Sequence, residues 1–85
     1  MSEKKFTLYR TSDLYFSAYL CSVDIEMITT EQESGGDGGR KLVFVFRIPN
    51  ADLSRLKASF FGGHATVKVR KYVDNLKSLK SMVYI

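Results

Sequence analysis

Cysteine and histidine, the residue types that most often act as nucleophile and base, occur once each in this chain, as Cys21 and His64. A cysteine–histidine pair catalyses a reaction only when the thiolate and the imidazole meet in space. Cys21 ends an apolar segment, where a cysteine behaves as a small hydrophobic side chain, and His64 follows two glycines. One cysteine forms no disulfide within the chain, and one histidine supplies no histidine cluster for a metal. We therefore predict no catalytic residue, no metal ligand and no cofactor.

The acidic residues and the glycine-rich segment do not match a cation or phosphate site either. Asp24 and Glu26 alternate with apolar residues, which is typical of the solvent-facing side of a strand. Residues 35–39 include four glycines, but they lack the alternating oxygen ligands of a calcium loop, and no Lys-Ser/Thr pair follows as in a phosphate-binding loop. Because glycines lose much conformational entropy on ordering, this segment is predicted to be a mobile loop.

The distribution of the basic residues along the chain indicates what kind of partner the protein binds. The formal net charge is +4, yet residues 1–39 carry three basic and seven acidic side chains, whereas residues 40–85 carry ten and two. A half that basic indicates an anionic partner, with nucleic acid as the leading candidate and an acidic protein as another. The alternative, that these are ordinary solubilising surface charges, stays open. The predicted nucleic-acid contacts are Arg55, Lys57, Lys68, Arg70, Lys71, Lys77 and Lys80.

The size of the chain limits what these residues can build. With 85 residues, 45% of them hydrophobic and 26% charged, the composition is globular and a single domain over residues 1–85 is predicted. A chain this short buries only about 60% of the surface that its unfolded form exposes, which leaves little room for a deep cleft. The longest uncharged run, residues 14–23, is shorter than a membrane span. No signal sequence is visible, so a cytoplasmic location is predicted.

Hydrophobic periodicity predicts the elements of the first half. A buried helix is expected over residues 14–21, begun by a hydroxyl cap in Thr11-Ser12 with Asp13 in its first turn. Residues 23–32 and 42–48 should pair as an antiparallel hairpin, with Met27 opposite Phe46 and Gln32 opposite Lys41, because this register places the large apolar residues on one face. The second strand is apolar at every position before Arg47, so we expect it to be central and covered on both faces.

Two helices are predicted in the second half. Asn50 is expected to cap the first of them, and the glycine pair 62–63 should end it. Its inner stripe is Leu53, Leu56 and Phe60. The last helix is expected over residues 70–83, and the predicted apolar face consists of Val69, Tyr72, Val73, Leu76, Leu79 and Val83.

These elements make an α+β fold, an antiparallel hairpin or sheet packed against two to three helices. Two versions stay open. If residues 6–9 and 65–69 are short strands, the order is β-α-β-β-α-β followed by a C-terminal helix, as in a split βαβ sandwich. If they are not, the order is helix, hairpin, helix, helix.

One combination of motifs covers most of the chain outside the glycine-rich segment. It consists of Thr11-Ser12-Asp13-Leu14 at a helix start, Phe44-x-Phe46 in a core strand, and Leu76-x-x-Leu79-Lys80-x-x-Val83-Tyr84 at the end. In these motifs the chain resembles a family of small uncharacterised prokaryotic and phage domains. The resemblance implies a compact α+β domain and no particular reaction.

The leading hypothesis is therefore a non-enzymatic binding module whose basic C-terminal half contacts the phosphates of nucleic acid. Phosphate contacts give affinity without sequence preference, so the binding is expected to be weak and sensitive to salt. The alternative is a protein–protein interaction or homodimerisation module that uses exposed tyrosines and the edges of its sheet. The two hypotheses differ in the expected placement of the basic side chains. Nucleic-acid binding requires them to share one face, whereas the alternative does not.

Overall fold

The structure of the protein, a computed structural model, describes residues 5–34 and 40–83, so the predicted loop at residues 35–39 lies outside the described residues. The elements are β1 (Phe6–Thr11), α1 (Leu14–Ser22), β2 (Glu26–Ser34), β3 (Arg40–Pro49), α2 (Asn50–Phe61) and α3 (Val69–Val83). The α+β fold class predicted from the sequence is confirmed. In these residues no helix has both the length and the apolar character needed to cross a bilayer.

The three strands form one antiparallel sheet in the order β1-β3-β2. The central position of β3 follows from its composition, because a strand that is apolar at successive positions has to be covered on both faces. Residues 43–46 are all at most 5% exposed, which confirms that prediction. Residues 6–9, for which the sequence left a strand open, do form one; it extends to Thr11 and pairs with β3 along its whole length.

The hairpin register is the predicted one at its start and differs by one residue further along. Met27 lies opposite Phe46, as predicted, but a β-bulge at Ile28 shifts the register so that Gln32 faces Leu42 instead of Lys41. A bulge places an extra residue in one strand and leaves it without a partner in the ladder. Ile28 breaks the alternation of apolar and polar residues in this strand, and its side chain is 42% exposed.

The start of α1 uses a different capping residue from the predicted hydroxyl. The backbone N–H of Phe16 donates to Oδ1 of Asp13 at 3.0 Å, so Asp13 is the cap itself and not a first-turn residue. Thr11 supports it, because its Oγ1 accepts a hydrogen bond from the N–H of Asp13 at 3.0 Å. A carboxylate in this position satisfies a free N–H group and lies at the positive end of the helix dipole.

At α2, the predicted stop is confirmed and the predicted cap is wrong. Pro49 occupies the cap position without a side-chain hydrogen bond to the helix, and Asn50 is the first helical residue. The N–H of Asn50 instead donates to the carbonyl of Lys5 at 2.9 Å, which continues the β1–β3 pairing. At the other end, Gly63 has φ of +79°, the left-handed conformation that glycine adopts without strain.

The segment between α2 and α3 is not a strand. Residues 64–68 have no regular secondary structure, so of the alternatives left open at 65–69 the extended segment is found and the strand is not. The element order is β-α-β-β-α-α, which matches neither of the two orders considered from the sequence. Ala65 and Val67 nevertheless pack against the core. The alternation of apolar and polar residues in this segment therefore reflects an extended backbone with one side on the core. Burial of one side of an extended segment makes every second residue apolar, whether or not a partner strand is present.

The core lies on one face of the sheet. Its buried residues are Phe16, Ala18, Tyr19 and Leu20 from α1, Phe44, Phe46 and Ile48 from β3, Leu56 from α2 and Leu79 from α3. On the opposite face of β3, Val43 and Val45 are buried although they do not belong to this cluster. Their cross-strand neighbours on that face include Arg10 opposite Val45 and Glu31 opposite Val43.

Candidate functional site

Helix α3 is held on the core by a narrower stripe than the sequence predicts. Tyr72, Leu76 and Leu79 pack against the core, whereas Val69 is 77% exposed and Val73 and Val83 are also exposed. The predicted apolar face was both too wide and too long. Val73 lies beside the stripe, whereas Val69 and Val83, each seven residues from Leu76, share its side of the helix but are the first and last residues of α3. Burial raises the pKa of the Tyr72 phenol, and its hydroxyl donates to the carbonyl of Tyr15 at 3.3 Å.

A polar contact fixes the rotation of α3 against α1. The side-chain amide of Asn75 donates to Oγ of Ser22 at 3.3 Å and to the carbonyl of Lys71 at 2.9 Å. Ser22 is itself buried, and its hydroxyl donates to the carbonyl of Ala18 at 2.7 Å. Because hydrogen bonds to buried groups are directional, they define which side of α3 faces solvent.

The exposed side of α3 carries three of the predicted basic residues together. An α-helix turns by about 100° per residue, so Arg70 and Lys77 lie within about 20° of each other and Lys80 about 60° further round. We call Arg70, Lys77 and Lys80 the basic stripe. All three side chains are exposed, and at about 1.5 Å per residue they span about 15 Å of the helix. Lys68 is also exposed and lies just before the helix.

No member of the basic stripe forms an ion pair within the described residues, although Asp74 lies one helical turn from both Arg70 and Lys77 and lowers the net charge on this side of α3. The ion pairs found there involve Arg10, Arg47, Arg55 and Lys71. Neither Lys68 nor any member of the stripe has a carboxylate within 4.0 Å in the part of the chain that the structure describes. Positive charges without a local partner are free to attract an external anion.

Lys71 lies on another side of α3 from the basic stripe. Its Nζ contacts Oδ1 of Asp24 at 3.1 Å. Asp24 follows α1 with φ of +65°, a left-handed conformation that aspartate tolerates better than most residues. Lys71 therefore joins α3 to the turn after α1 through an exposed ion pair, an interaction worth roughly 0–1 kcal/mol.

The two predicted residues on α2 do not share one side of that helix. Nη2 of Arg55 contacts Oδ1 of Asp52 at 3.0 Å, and Nζ of Lys57 lies 5.4 Å from the ring centroid of Tyr9 on β1. By helical geometry, two residues two positions apart point about 160° away from each other. The structure thus groups part of the predicted set on α3 and separates Arg55, Lys57 and Lys71 from it.

A second surface, the sheet face opposite the core, was not identified from the sequence. It exposes Phe6 (47%), Leu8 (59%) and Ile28. Arg10 donates to both carboxylate oxygens of Glu31 at 2.9 and 3.1 Å, and this hydrogen bonding raises the pKa of Arg10 and lowers that of Glu31. The exposure of Leu8 could have been inferred only from knowing which side of β1 faces the helices.

A second cross-strand contact completes this face. Arg47 lies 3.8 Å from Oε1 of Glu26, and its guanidinium is 5.6 Å from the ring centroid of Phe6. Each of these two arginines is thus matched by a glutamate on β2. Unlike the basic stripe, this part of the surface combines apolar side chains with balanced charge, which suits a protein surface better than a polyanion.

Cys21 and His64, the single cysteine and the single histidine of the chain, have different surroundings. Cys21 is half-buried, and burial raises the pKa of its thiol, the opposite of the shift that activates a catalytic cysteine. His64 is exposed and, with Arg55 and Ser59, lines an open depression of about 360 Å³. Among the described residues, no group of three or more histidine, cysteine, aspartate or glutamate side chains could hold a metal ion.

The comparisons with known proteins point to one family. Its model, described as a domain of unknown function (DUF5659), matches residues 7–85 of the chain. No curated protein and no solved structure matches the chain. The predicted resemblance to a family of uncharacterised domains is confirmed, and the prokaryotic or phage origin stays a prediction.

Proposed function

The chain belongs to this family of domains of unknown function, and we propose that it is a non-enzymatic binding module that contacts nucleic acid through its basic C-terminal half. The observation that carries the proposal is the basic stripe, three exposed cations on one side of α3 without a carboxylate partner among the described residues. The primary contacts are Arg70, Lys77 and Lys80, with Lys68 beside them.

The expected mode of binding follows from the chemistry of the stripe. Lysine and arginine neutralise phosphates and release counterions, which gives affinity without reading bases. The stripe spans about 15 Å, which corresponds to the rise of roughly four base pairs. The aromatic side chains Phe44 and Phe46 are buried in the core, so they do not provide a platform on which bases could stack. Weak, non-specific and salt-dependent binding is the expectation.

The other predicted basic residues have weaker roles in this proposal. Arg55, Lys57 and Lys71 already interact with Asp52, Tyr9 and Asp24, respectively. An incoming phosphate must compete with those partners, so these three contribute as flanking charges. A cytoplasmic location and a single domain over residues 1–85 belong to the same proposal; a free cysteine such as Cys21 is typical of a reducing compartment.

The test compares two triple variants of equal charge. Fluorescence polarisation with short labelled DNA and RNA is measured over a series of salt concentrations. Replacing Arg70, Lys77 and Lys80 with glutamine removes the basic stripe, and the slope of log affinity against log salt is expected to fall by about 2 to 3, since each lost phosphate contact lowers it by about 0.7 to 0.9. These residues lie off the packed side of α3, so circular dichroism should show an unchanged fold.

The control triple replaces Arg55, Lys57 and Lys71 with glutamine. It removes the same net charge from side chains that have partners within the chain, so the slope should change much less. Equal losses in the two triples would show that overall charge, and not the stripe, drives binding. Wild-type protein that binds neither DNA nor RNA at low salt would make the nucleic-acid proposal wrong.

Protein–protein interaction is the second candidate, and a different observation favours it. The sheet face opposite the core combines exposed Phe6 and Leu8 with cross-strand ion pairs. If nucleic acid fails to bind, this surface and the adjacent edge of β1 become the leading functional site.

A further inference from the structure

The outer edge of β1 carries backbone groups that no other strand of the described residues pairs. The N–H of Asn50 donates to the carbonyl of Lys5, so Lys5 and Asn50 form a hydrogen-bonded pair at the start of the β1–β3 ladder. In an antiparallel ladder such pairs alternate along the strand, and the intervening residues direct N–H and C=O to the other side. The backbone groups of Phe6, Leu8 and Arg10 therefore point outward, where the described sheet has no further strand.

The two edges of the sheet differ in how well they are protected. β2, the other edge strand, contains a β-bulge at Ile28 and the acidic residues Glu26, Glu31 and Glu33. Bulges and charges on an edge strand prevent pairing with a second chain. β1 has neither a bulge nor a proline, and Arg10 is its single charged residue. Only β1, of these two strands, has an edge open to pairing.

We propose that two copies of this chain pair through their β1 strands to form a continuous six-stranded antiparallel sheet. The register places Leu8 opposite Leu8 of the second copy, and Phe6 opposite Arg10 of the second copy. The outward backbone groups of Phe6, Leu8 and Arg10 then all form hydrogen-bonded pairs, because a two-fold axis at Leu8 exchanges Phe6 and Arg10. The interface is isologous, as in most homodimers.

Charge disfavours a register with its two-fold axis at Arg10, and apolar contact favours the proposed one. A register centred on Arg10 would place two guanidinium groups opposite each other, which is unfavourable. The proposed register instead keeps the two Arg10 side chains apart, and each stays paired across β3 with Glu31 of its own chain. It also pairs the two Leu8 side chains, which are 59% exposed in the isolated chain.

The same register is compatible with the face that carries the core. There, Tyr9 lies opposite Thr7 of the second copy, and neither residue is charged. Tyr9 already packs against the core and lies beneath Lys57, so the β1 strand needs no rearrangement to pair. The inference does not depend on the proposed nucleic-acid function, because none of these β1 residues belongs to the basic stripe.

The first test is the oligomeric state of the whole chain, measured by sedimentation velocity over the accessible concentration range. Wild-type protein should show a concentration-dependent dimer. Leu8→Lys places two like charges at the two-fold axis, and the dissociation constant should rise about tenfold or more. Ile28→Lys introduces the same charge on the same face of the other edge strand and should leave the dimer unchanged.

The second test locates the axis and does not rely on destabilisation. Opposite residues in a hydrogen-bonded pair have Cα atoms about 5.5 Å apart, a separation that a disulfide can bridge. In a Cys21→Ala background, Leu8→Cys should therefore crosslink two copies under mild oxidation, whereas Ile28→Cys should not. A wild-type chain that is monomeric throughout, a dimer that persists in Leu8→Lys, or a dimer that Leu8→Cys does not crosslink would each overturn the proposal.

Discussion

Among single residues, Arg10 and Glu31 show how a side-chain pair can depend on pH. The two hydrogen bonds from the guanidinium hold the pKa of Glu31 below its ordinary value, which is about 4.5. The folded state therefore binds this proton less readily than the unfolded state. The contribution of the pair to stability is fully present above the ordinary glutamate pKa and is lost as the pH falls through the lowered value.

This linkage predicts the behaviour of Glu31→Gln. At neutral pH the variant should melt at a slightly lower temperature than the wild type, because exposed ion pairs contribute little. The difference should shrink as the pH falls through the lowered pKa of Glu31 and disappear once the wild-type carboxylate is protonated in the folded state. Thermal melts at several pH values measure the difference in melting temperature between the variant and the wild type. Glu33→Gln is the control, since Glu33 makes no ion pair among the described residues. A pH-independent difference would show that the Arg10 pairing is not its cause.

At the scale of elements, α1 depends on the residue before it. Asp13 caps the helix through Oδ1, and the carbonyl of Asp13 accepts hydrogen bonds from the backbone N–H of Ser17 at 3.0 Å and from its hydroxyl at 2.7 Å. Since α1 supplies Phe16 and Leu20 to the core, loosening its first turn disturbs the packing of the sheet as well.

Asp13→Ala is therefore expected to lower the free energy of unfolding by about 1 kcal/mol, the usual loss when a capping side chain is removed. Asp13→Asn keeps an oxygen in the capping position and should lose much less. Urea denaturation of both variants measures the difference. Equal stability of Asp13→Ala and the wild type would mean that the cap contributes nothing, and an equal loss in both variants would assign the effect to charge.

At the scale of the whole molecule, α3 joins the basic stripe to the hydrophobic core. Leu79 is the α3 side chain that is buried in the core, at 3% exposure, and it lies one position before Lys80. Small domains have only about 5–15 kcal/mol of total stability. A single buried leucine on the last helix therefore carries a large share of the stability that holds the proposed binding surface in place.

Leu79→Ala should cost about 2–5 kcal/mol, from lost hydrophobic transfer and the cavity that remains. Val69→Ala, on the same helix at 77% exposure, should change stability by no more than about 0.5 kcal/mol. Chemical denaturation with one probe for the sheet and one for the helices also tests cooperativity. A Leu79→Ala variant as stable as the wild type would show that α3 is not part of the cooperative core.

The sequence by itself determined the features that depend on local pattern. The apolar run in β3 predicted a central strand, the apolar residues of α1 predicted a buried helix, and the position of Met27 opposite Phe46 followed from matching apolar faces. These predictions succeeded because burial imposes a period on the sequence, two in a strand and about 3.6 in a helix. The prediction that a hydroxyl group caps α1 was wrong, because three adjacent residues could each have capped the helix. Only the backbone conformation selects Asp13.

Tertiary structure decided the features that need a distant partner. Residues 6–9 and 65–69 alternate alike, yet only the first reaches β3, because a strand requires a neighbour with free backbone groups as well as one buried side. The predicted basic residues also look alike in sequence. Lys71 is paired with Asp24 from another part of the chain, whereas Lys77 and Lys80 have no such partner among the described residues, because the docking of α3 on α1 determines which charges meet.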